Sequence, residues 1–293
     1  MFDFRMETFL VAAKTLNFTA AAKELHITQP AVSMHIHQLE EDYQTKFFEH
    51  KGKQIHLTEN GKLLFQVASR MKNDDQHMRQ HFQSKKEIAE LNFGTTLSIA
   101  DFCLQHSLKK LWTLYPNLHL RLSVQNTETL LERIHQGSLD FAIVEGYYSK
   151  ELYDSISFQT QEYLAVCHPS HVFSNPVSNI HDLCGEPLLI REEGSGTREI
   201  LERMLSLHEL TLQDFQVLAE IGSLHVIKEC VRSDIGISFF YRPVVEEELK
   251  QGTLKQILIE EQFHHTFSCV WSKQSIFAKQ YQQIGMLLTE ETY

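Results

Sequence analysis

The chain has 293 residues, 42% of them apolar, and a formal net charge of -11. That length can bury a sizeable core and build more than one domain. The apolar stretches are short or broken by charges, so neither a signal peptide nor a membrane span is expected, and a cytoplasmic protein is. The acidity is uneven: residues 1–90 hold 12 Lys and Arg against 12 Asp and Glu, and residues 91–293 hold 15 against 26. A surface coated in positive charge for nucleic acid is excluded, and any DNA contact has to come from charge placement in the N-terminal part. Cys103, Cys167, Cys184, Cys230 and Cys269 are widely spaced without a CxxC, so ordinary thiols are expected, with no disulfide framework, metal site or cofactor.

"FRMETFLVAAKTL" places Phe9, Leu10, Ala13 and Leu16 at the spacing of a helix with one buried face, and Asn17 breaks it. In "NFTAAAKELHI", Thr19 is the expected N-cap of a second helix that Leu25 and Ile27 close against the core. Thr28 is placed to cap a third helix, with Pro30 in its first turn, where a missing N–H costs little. Val32, Ile36, Leu39 and Tyr43 share one face of it, which leaves Gln29, Ala31, Ser33, Met34, His35 and His37 on or near the others. "KGK" reads as a turn and "QIHL" as a strand, together a two-stranded wing. Thr58 then caps a long helix in which Leu64, Val67, Met71, Met78 and Phe82 fall near heptad spacing as far as about Ile88. So long a stripe on a protruding helix predicts pairing of two chains, with packing on the chain's own second domain as the alternative.

From residue 91 the texture changes to short apolar runs alternating with amphipathic segments. "LNFG", "HLRLSVQ", "LDFAIVEG", "EYLAVCHP", "PLLIRE", "QVLAEI", "IGISFFY" and "HTFSCVWS" read as strands. "SIADFCLQHSLKKLWTLYP", "TLLERIHQG", "GTREILERMLSLHEL", "LHVIKECVRS" and "VVEEELKQG" read as helices. This alternation predicts an open α/β sheet, either one domain or two small lobes with a crevice.

Three helices and a wing within the first 60 residues predict a winged helix-turn-helix whose third helix enters the major groove by its N-terminal end. Gln suits adenine, Ser suits bases or phosphate, and Ala or Met suits a thymine methyl; that makes Thr28, Gln29, Pro30, Ala31, Ser33, Met34 and His37 the candidate DNA-reading set. Solvated helix positions look the same at this level. Phosphate contacts are expected chiefly from Lys51 and Lys53 in the wing, with Lys23, Lys46, histidines 26, 35, 37, 50 and 56, and helix-start N–H groups in support.

In the acidic part, "REEGSGTREILERM" ends a strand in glycine-rich turns and opens a helix at Thr197 or Arg198. Its N–H groups and the hydroxyls of Ser195 and Thr197 suit an anion cradle, although a plain helix cap has the same sequence. It is neither a Walker loop nor a GxGxxG dinucleotide loop. Arg191 or Arg198 is placed to add a charged donor, or else to pair with Glu192, Glu193, Glu199 or Glu202. Thr95, Thr96 and Ser98, then Glu145 to Tyr148, and Gly222 with Ser223 lie at other strand ends, as in a binding crevice. No poised catalytic set stands in the sequence, so a binding protein is expected rather than an enzyme.

The run "FLVAAKTLNFTAAAKELHITQPAVSMHIHQLEEDYQTKFFEHKGKQIHLTENGKLL", with its Ala-rich second helix, "TQPAVS", "QLEE", "FFE" and "LTENG", resembles the DNA-binding signature of the LysR-type transcriptional regulators. "LDFAIVEG", "REEGSGTRE" and "IKECVRSDIGISFFYRPVVEEELKQGTL" resemble the effector domain of that family, so the likeness spans essentially the whole chain. The resemblance implies a winged helix-turn-helix over 1–58, a linker and dimerisation helix over 59–90, and a periplasmic-binding-protein-like α/β effector domain over 91–293. Its first lobe is expected at about 91–160 with 267–293, and its second at about 161–266. Carried over by position, Thr96 and Ser98 are first-lobe effector contacts, Ser195, Gly196 and Thr197 the second-lobe cradle, and Gly222 and Ser223 a further rim, with Glu145 at the strand end between them. "EGSGTRE" resembles members that sense small anionic metabolites.

The resemblance further implies a homodimer or homotetramer on double-stranded DNA at a two-fold-related promoter site, contact with RNA polymerase there, and activation as the commoner role. A repressor or architectural member with a degenerate crevice is the alternative within the family, and a solute-binding protein or enzyme the alternative outside it. Three positions depart from the family pattern: Met34, His37 and His50 stand where basic residues are common, so modest affinity for DNA is expected.

Overall fold

In a computed structural model, which describes residues 3–52, 54–83, 90–215 and 218–289, the chain divides into two compact units. The first comprises residues 1–88 with 132–140, and the second residues 89–131 with 141–293.

The first unit starts with three short helices, α1 (Phe4–Thr15), α2 (Phe18–Glu24) and α3 (Gln29–Asp42). A two-stranded wing follows, β1 (Phe48–Lys51) antiparallel to β2 (Gln54–Leu57), and then the long α4 (Glu59–Gln83). Each helix is bounded by local chemistry. Asp3 caps α1 by accepting the Arg5 N–H at 2.9 Å, and Leu16 ends the helix in the left-handed conformation at φ 46°. The Leu16 side chain is therefore 40% exposed instead of joining the buried face. Asn17, expected only as a breaker, is the cap of α2: its Oδ1 accepts from Thr19 N at 2.9 Å and Ala20 N at 3.0 Å. Thr19 lies inside the helix and does not cap it. The carboxamide satisfies two of the donors that a helix start leaves free.

Thr28 caps α3, with Pro30 in its first turn as expected. Val32, Ile36 and Leu39 are buried from α3, and Phe9, Ala12, Ala21 and Phe47 meet them in the core. Tyr43 departs from the expected face because α3 ends at Asp42; it is the C-cap, 56% exposed, with its ring edge against Phe47. His35 is held by packing, with Nδ1 3.0 Å from Thr8 Oγ1 and its ring edge-on to Phe4. Thr58 starts α4 by accepting the Gly61 N–H at 3.0 Å. Leu64 and Ala68 join the core of the head, whereas Leu63, Met71 and Met78 remain exposed. Lys53 and Ile88 lie outside the described residues, as does the Phe82 side chain.

The second unit is a two-lobed α/β domain. Its elements in chain order are β3 (Glu90–Thr95), α5 (Leu97–Phe102), α6 (Gln105–Leu114), β4 (His119–Val124), α7 (Thr127–His135), β5 (Phe141–Val144) and β6 (Tyr153–Cys167). These are followed by β7 (Leu188–Ile190), α8 (Gly196–Leu207), β8 (Leu218–Glu220), α9 (Leu224–Arg232), β9 (Ser238–Tyr241), α10 (Arg242–Gln251), β10 (Lys255–Gln256), β11 (Phe263–Ser272) and α11 (Ala278–Thr289). Strands run in the order β10-β6-β11-β5-β3-β4, with β9 also on β6, and β7 pairs with β8 apart from them. Within this curled sheet β3 is parallel to both β4 and β5, and the long β6 and β11 pair antiparallel along most of their length. Their register shifts between Thr266 and Ser268.

Three sequence expectations change here. The segment read as one helix from Ser98 to Pro116 is two, α5 and α6, interrupted at Cys103 and Leu104. The strand expected near Glu162 begins at Tyr153, because it pairs with β11 far along the chain. The helix α11 was not resolved by the pattern; it buries Tyr281, Ile284 and Leu288, and Ser107 Oγ donates to its Leu288 carbonyl at 2.6 Å. Gln216 and Val217 of the strand expected over 216–221 lie outside the described residues.

Candidate functional site

In the first unit, the start of α3 faces a groove of about 750 Å³ lined by Asn17, Thr19, Gln29, Ser33, His50, Gln54 and His56, with Leu16, Phe18 and Ile55. Gln29 Nε2 donates to Ser33 Oγ at 2.9 Å, so the two side chains predicted to read bases are held together one turn apart. Thr28, Gln29 and Pro30 are exposed, Ala31 is half-buried, and Met34 is 51% exposed. His37 Nε2 lies 3.2 Å from Glu41, and Lys51 Nζ lies 3.0 Å from Glu49. The cationic wing residue is thus matched by a neighbouring carboxylate. Asn17, Thr19 and Gln54 were missed in the sequence, because only the folded wing brings β2 opposite the start of α3.

In the second unit, three parallel strands deliver side chains to one place. Thr95 ends β3 and Thr96 follows it, Thr127 follows β4, and Glu145 follows β5, at the carboxyl ends where open α/β sheets bind ligands. Opposite them is the start of α8, where Ser195, Gly196 and Thr197 are buried. Thr197 Oγ1 donates to Glu145 Oε1 at 2.7 Å across the cleft. Tyr147 N–H donates to Glu199 Oε2 at 3.0 Å, and the Arg203 guanidinium lies 3.5 Å over the Tyr147 ring. The approach leaves no room for a side chain at Gly196: a Cβ there would lie 2.6 Å from Gly146 N and 2.7 Å from Glu145 Cγ.

Glu145 is 1% exposed. Burial raises its pKa above the ordinary carboxylate value, against the lowering effects of the Thr197 hydroxyl and the Arg191 charge. Thr95 Oγ1, Thr96 Oγ1, Thr127 Oγ1, Glu145 Oε2 and Arg191 Nη1 are buried without a hydrogen-bond partner. Arg191 spends its other donors on Glu192, at 2.7 and 2.9 Å. Ser98 is buried beside them in α5. Gly222 is exposed near Glu192, and Ser223 caps α9 by accepting the Val226 N–H at 3.4 Å. At the mouth, Thr127, Glu128, Tyr147, Ser195, Arg198 and Glu199 are among the residues lining a cavity of about 330 Å³. Thr127 was missed in the sequence, although its place just past a strand matches that of Thr96 and Glu145.

The cysteines are all free thiols. Cys103, beside this cleft, is pushed up to about 12 by burial and then by the Glu145 charge. A thiol so rarely ionised at neutral pH is a poor nucleophile and a poor redox sensor. Alkylation of Cys103 by iodoacetamide at neutral pH, followed by peptide mapping, is expected to be slower than that of an exposed cysteine by at least about a hundredfold. Equal rates would refute the assigned environment. Among the described residues no three His, Cys, Asp or Glu side chains are grouped to hold a metal ion, and no helix is long and apolar enough to cross a membrane.

Residues 4–62 match the "bacterial regulatory helix-turn-helix protein, lysR family", and residues 84–289 the "LysR substrate binding domain". The transcriptional regulator CysL of Bacillus subtilis is 31% identical over 253 residues, which cover 83% of this chain and 82% of CysL. In fold, the chain is similar to ArgP from Mycobacterium tuberculosis, with TM-score 0.76, 12% identity and coverage of 100% of this chain and 99% of ArgP. It is likewise similar to full-length CbnR in complex with its target DNA, with TM-score 0.66, 14% identity and 98% of each chain covered. Both family matches fall on the units that carry the groove and the cleft, and together they span nearly the whole chain: it belongs to the LysR family of sequence-specific DNA-binding transcriptional regulators, with an effector-binding fold behind its helix-turn-helix.

Proposed function

We propose that this regulator works as a homodimer or homotetramer, reads a two-fold-related promoter site with Gln29, Ala31, Ser33 and Met34, and answers a small ligand held between its effector lobes. One recognition helix reads only a few base pairs, so pairing through α4 doubles the sequence read; the exposed Leu63, Met71 and Met78 offer an apolar face for it. Phosphate contacts fall to Lys51, Lys53 and helix-start amides, with Thr28 and Pro30 shaping the helix start and His37 at its flank. The ligand contacts are Thr96, Ser98, Glu145, Ser195, Gly196 and Thr197, with Thr127 and Arg191 added, and Gly222 and Ser223 at the rim. Activation, with RNA polymerase as the partner at the promoter, rests on the family resemblance.

The observation that carries the ligand reading is the set of buried, unpartnered polar atoms at the ends of β3, β4 and β5. Each costs about 1–3 kcal/mol while unmatched, and a ligand that matches them recovers that cost. A ligand that prefers one lobe angle then shifts the population of that state, and with it promoter engagement.

Footprinting and gel-shift titration on the DNA beside its own gene test the DNA half of the reading. Ser33→Ala and Gln29→Ala are each expected to weaken specific binding by roughly 5- to 100-fold, the loss of one base contact. Nonspecific binding, set by phosphate contacts, should stay within about twofold. Equal losses on both kinds of DNA would remove these side chains from base reading.

A further inference from the structure

The cleft already contains a buried carboxyl of its own. Glu145 reaches from the end of β5 to the first turn of α8, a 12-residue helix, where Thr197 Oγ1 donates to its Oε1 at 2.7 Å. Gly196, the first residue of α8, lies so close that a Cβ there would be 2.7 Å from Glu145 Cγ. A helix start with a free hydroxyl is where an external oxyanion would bind. Three donors near it, the Thr96 and Thr127 hydroxyls and Arg191 Nη1, are buried without partners, while Glu192 and Glu199 are already engaged by Arg191 and the Tyr147 N–H.

We propose that Glu145 is the internal ligand of this cleft: it closes the lobes in the place an oxyanion effector would take, and an oxyanion binds there only together with a proton on Glu145. This deepens the effector reading given above and rests on it. The physical reason is charge. Glu192 already matches Arg191, so an ionised Glu145 leaves these three with one surplus negative charge, held on the buried Glu145, and an incoming anion would add to it. With a proton, Glu145 becomes a hydrogen-bond donor and the clash becomes a contact.

The titratable and charged groups around it can be named from every side. They are Cys103 beyond α5, Tyr163 on β6, Arg191 beyond β7, Glu199 on α8, Tyr241 on β9 and His265 on β11. Cys103, Tyr163 and Tyr241 are shifted upward by burial and stay protonated near neutrality. His265 is shifted downward by burial, and its proton is the one the test must tell from that of Glu145.

Calorimetric titration of the full-length protein with inorganic sulfate tests the proposal, because sulfate keeps both charges across the working range. In the wild type, apparent affinity is expected to rise by up to about tenfold for each pH unit of fall over the range in which Glu145 is ionised in the free protein, the signature of one coupled proton. In Glu145→Gln it should be tighter at the upper end and constant within about twofold. Without any ligand, the melting temperature of the wild type relative to Glu145→Gln should rise as the pH falls, since a raised carboxyl pKa means the folded chain binds the proton more strongly. Affinity in the wild type that ignores pH overturns the proposal. Dependence that survives in Glu145→Gln assigns the proton to His265 and overturns it too. Sulfate binding by neither protein shows that the cleft is no oxyanion site; the effector reading would then still stand if a cationic or neutral metabolite altered the footprint, and fall with the proposal if none did.

Discussion

Phe9→Ala is expected to unfold the DNA-binding head and abolish specific DNA binding. Phe9 is fully buried and meets the ring edges of Phe47 and Phe48, with centroids 5.4 and 5.6 Å away. It therefore ties α1 to the start of the wing. Truncating a buried Phe to Ala costs about 3–5 kcal/mol, and a domain near sixty residues has little more than that to lose. Hydrogen exchange would show it: protection of amides over 4–57 should collapse while those of β3, β5 and β11 keep theirs. A head that kept its protection, or that still bound its site with wild-type affinity, would contradict the packing described for this core.

Gly196→Ala is expected to force the effector lobes apart. The new Cβ would meet backbone, 2.6 Å from Gly146 N, as well as Thr127 Oγ1 at 2.7 Å. Backbone does not yield as a flexible side chain does, so an overpacking cost of about 1–3 kcal/mol is expected. The bond from Thr197 to Glu145 and that from Tyr147 N–H to Glu199 would be lost together. Exchange of the Tyr147 amide should speed up by about tenfold or more, the equivalent of about 1.4 kcal/mol, and the response to any effector should fail. An unchanged Tyr147 amide would show that the approach of the lobes is looser than these distances require.

What could be read from the sequence was what local chemistry decides. Thr28 and Pro30 mark the start of α3 because a cap and a proline act within one turn. Ser195 and Thr197, and Thr96 and Ser98, stood out because strand-to-helix junctions are short and polar. Asn17 and Thr19 show the limit even there: both are cap-forming types two residues apart, and because the helix starts at Phe18 it is Asn17 that accepts. Tyr43 fits the periodicity of α3 but falls one residue past its end. The cleft itself was less legible, because its defining contact joins residues 52 apart in the chain. Glu145 could be seen as a strand-end residue; that its carboxylate lies on α8 could not. Long-range pairing is also why β6 was read too short: half of it is held by β11 alone, more than 100 residues away.

The two sites differ in how exposed they leave their charge. The head shows Lys51 at the surface beside Glu49, and among the described residues no Lys or Arg lines the groove, so a shallow salt dependence of DNA binding is expected. The second unit's cleft buries the carboxyl of Glu145 among hydroxyls, and Glu128, Glu193, Glu199 and Glu202 line the cavity at its mouth.

DNase I footprinting of the intact protein, at low salt, over the DNA upstream of its own gene tests the central claim most directly. The expected result is protection of two half-sites related by a two-fold axis and spaced by whole helical turns, about 10 base pairs or a multiple of it, with the pattern altered when an effector is added. Folded, oligomeric protein that gives no specific protection anywhere in that region would contradict it.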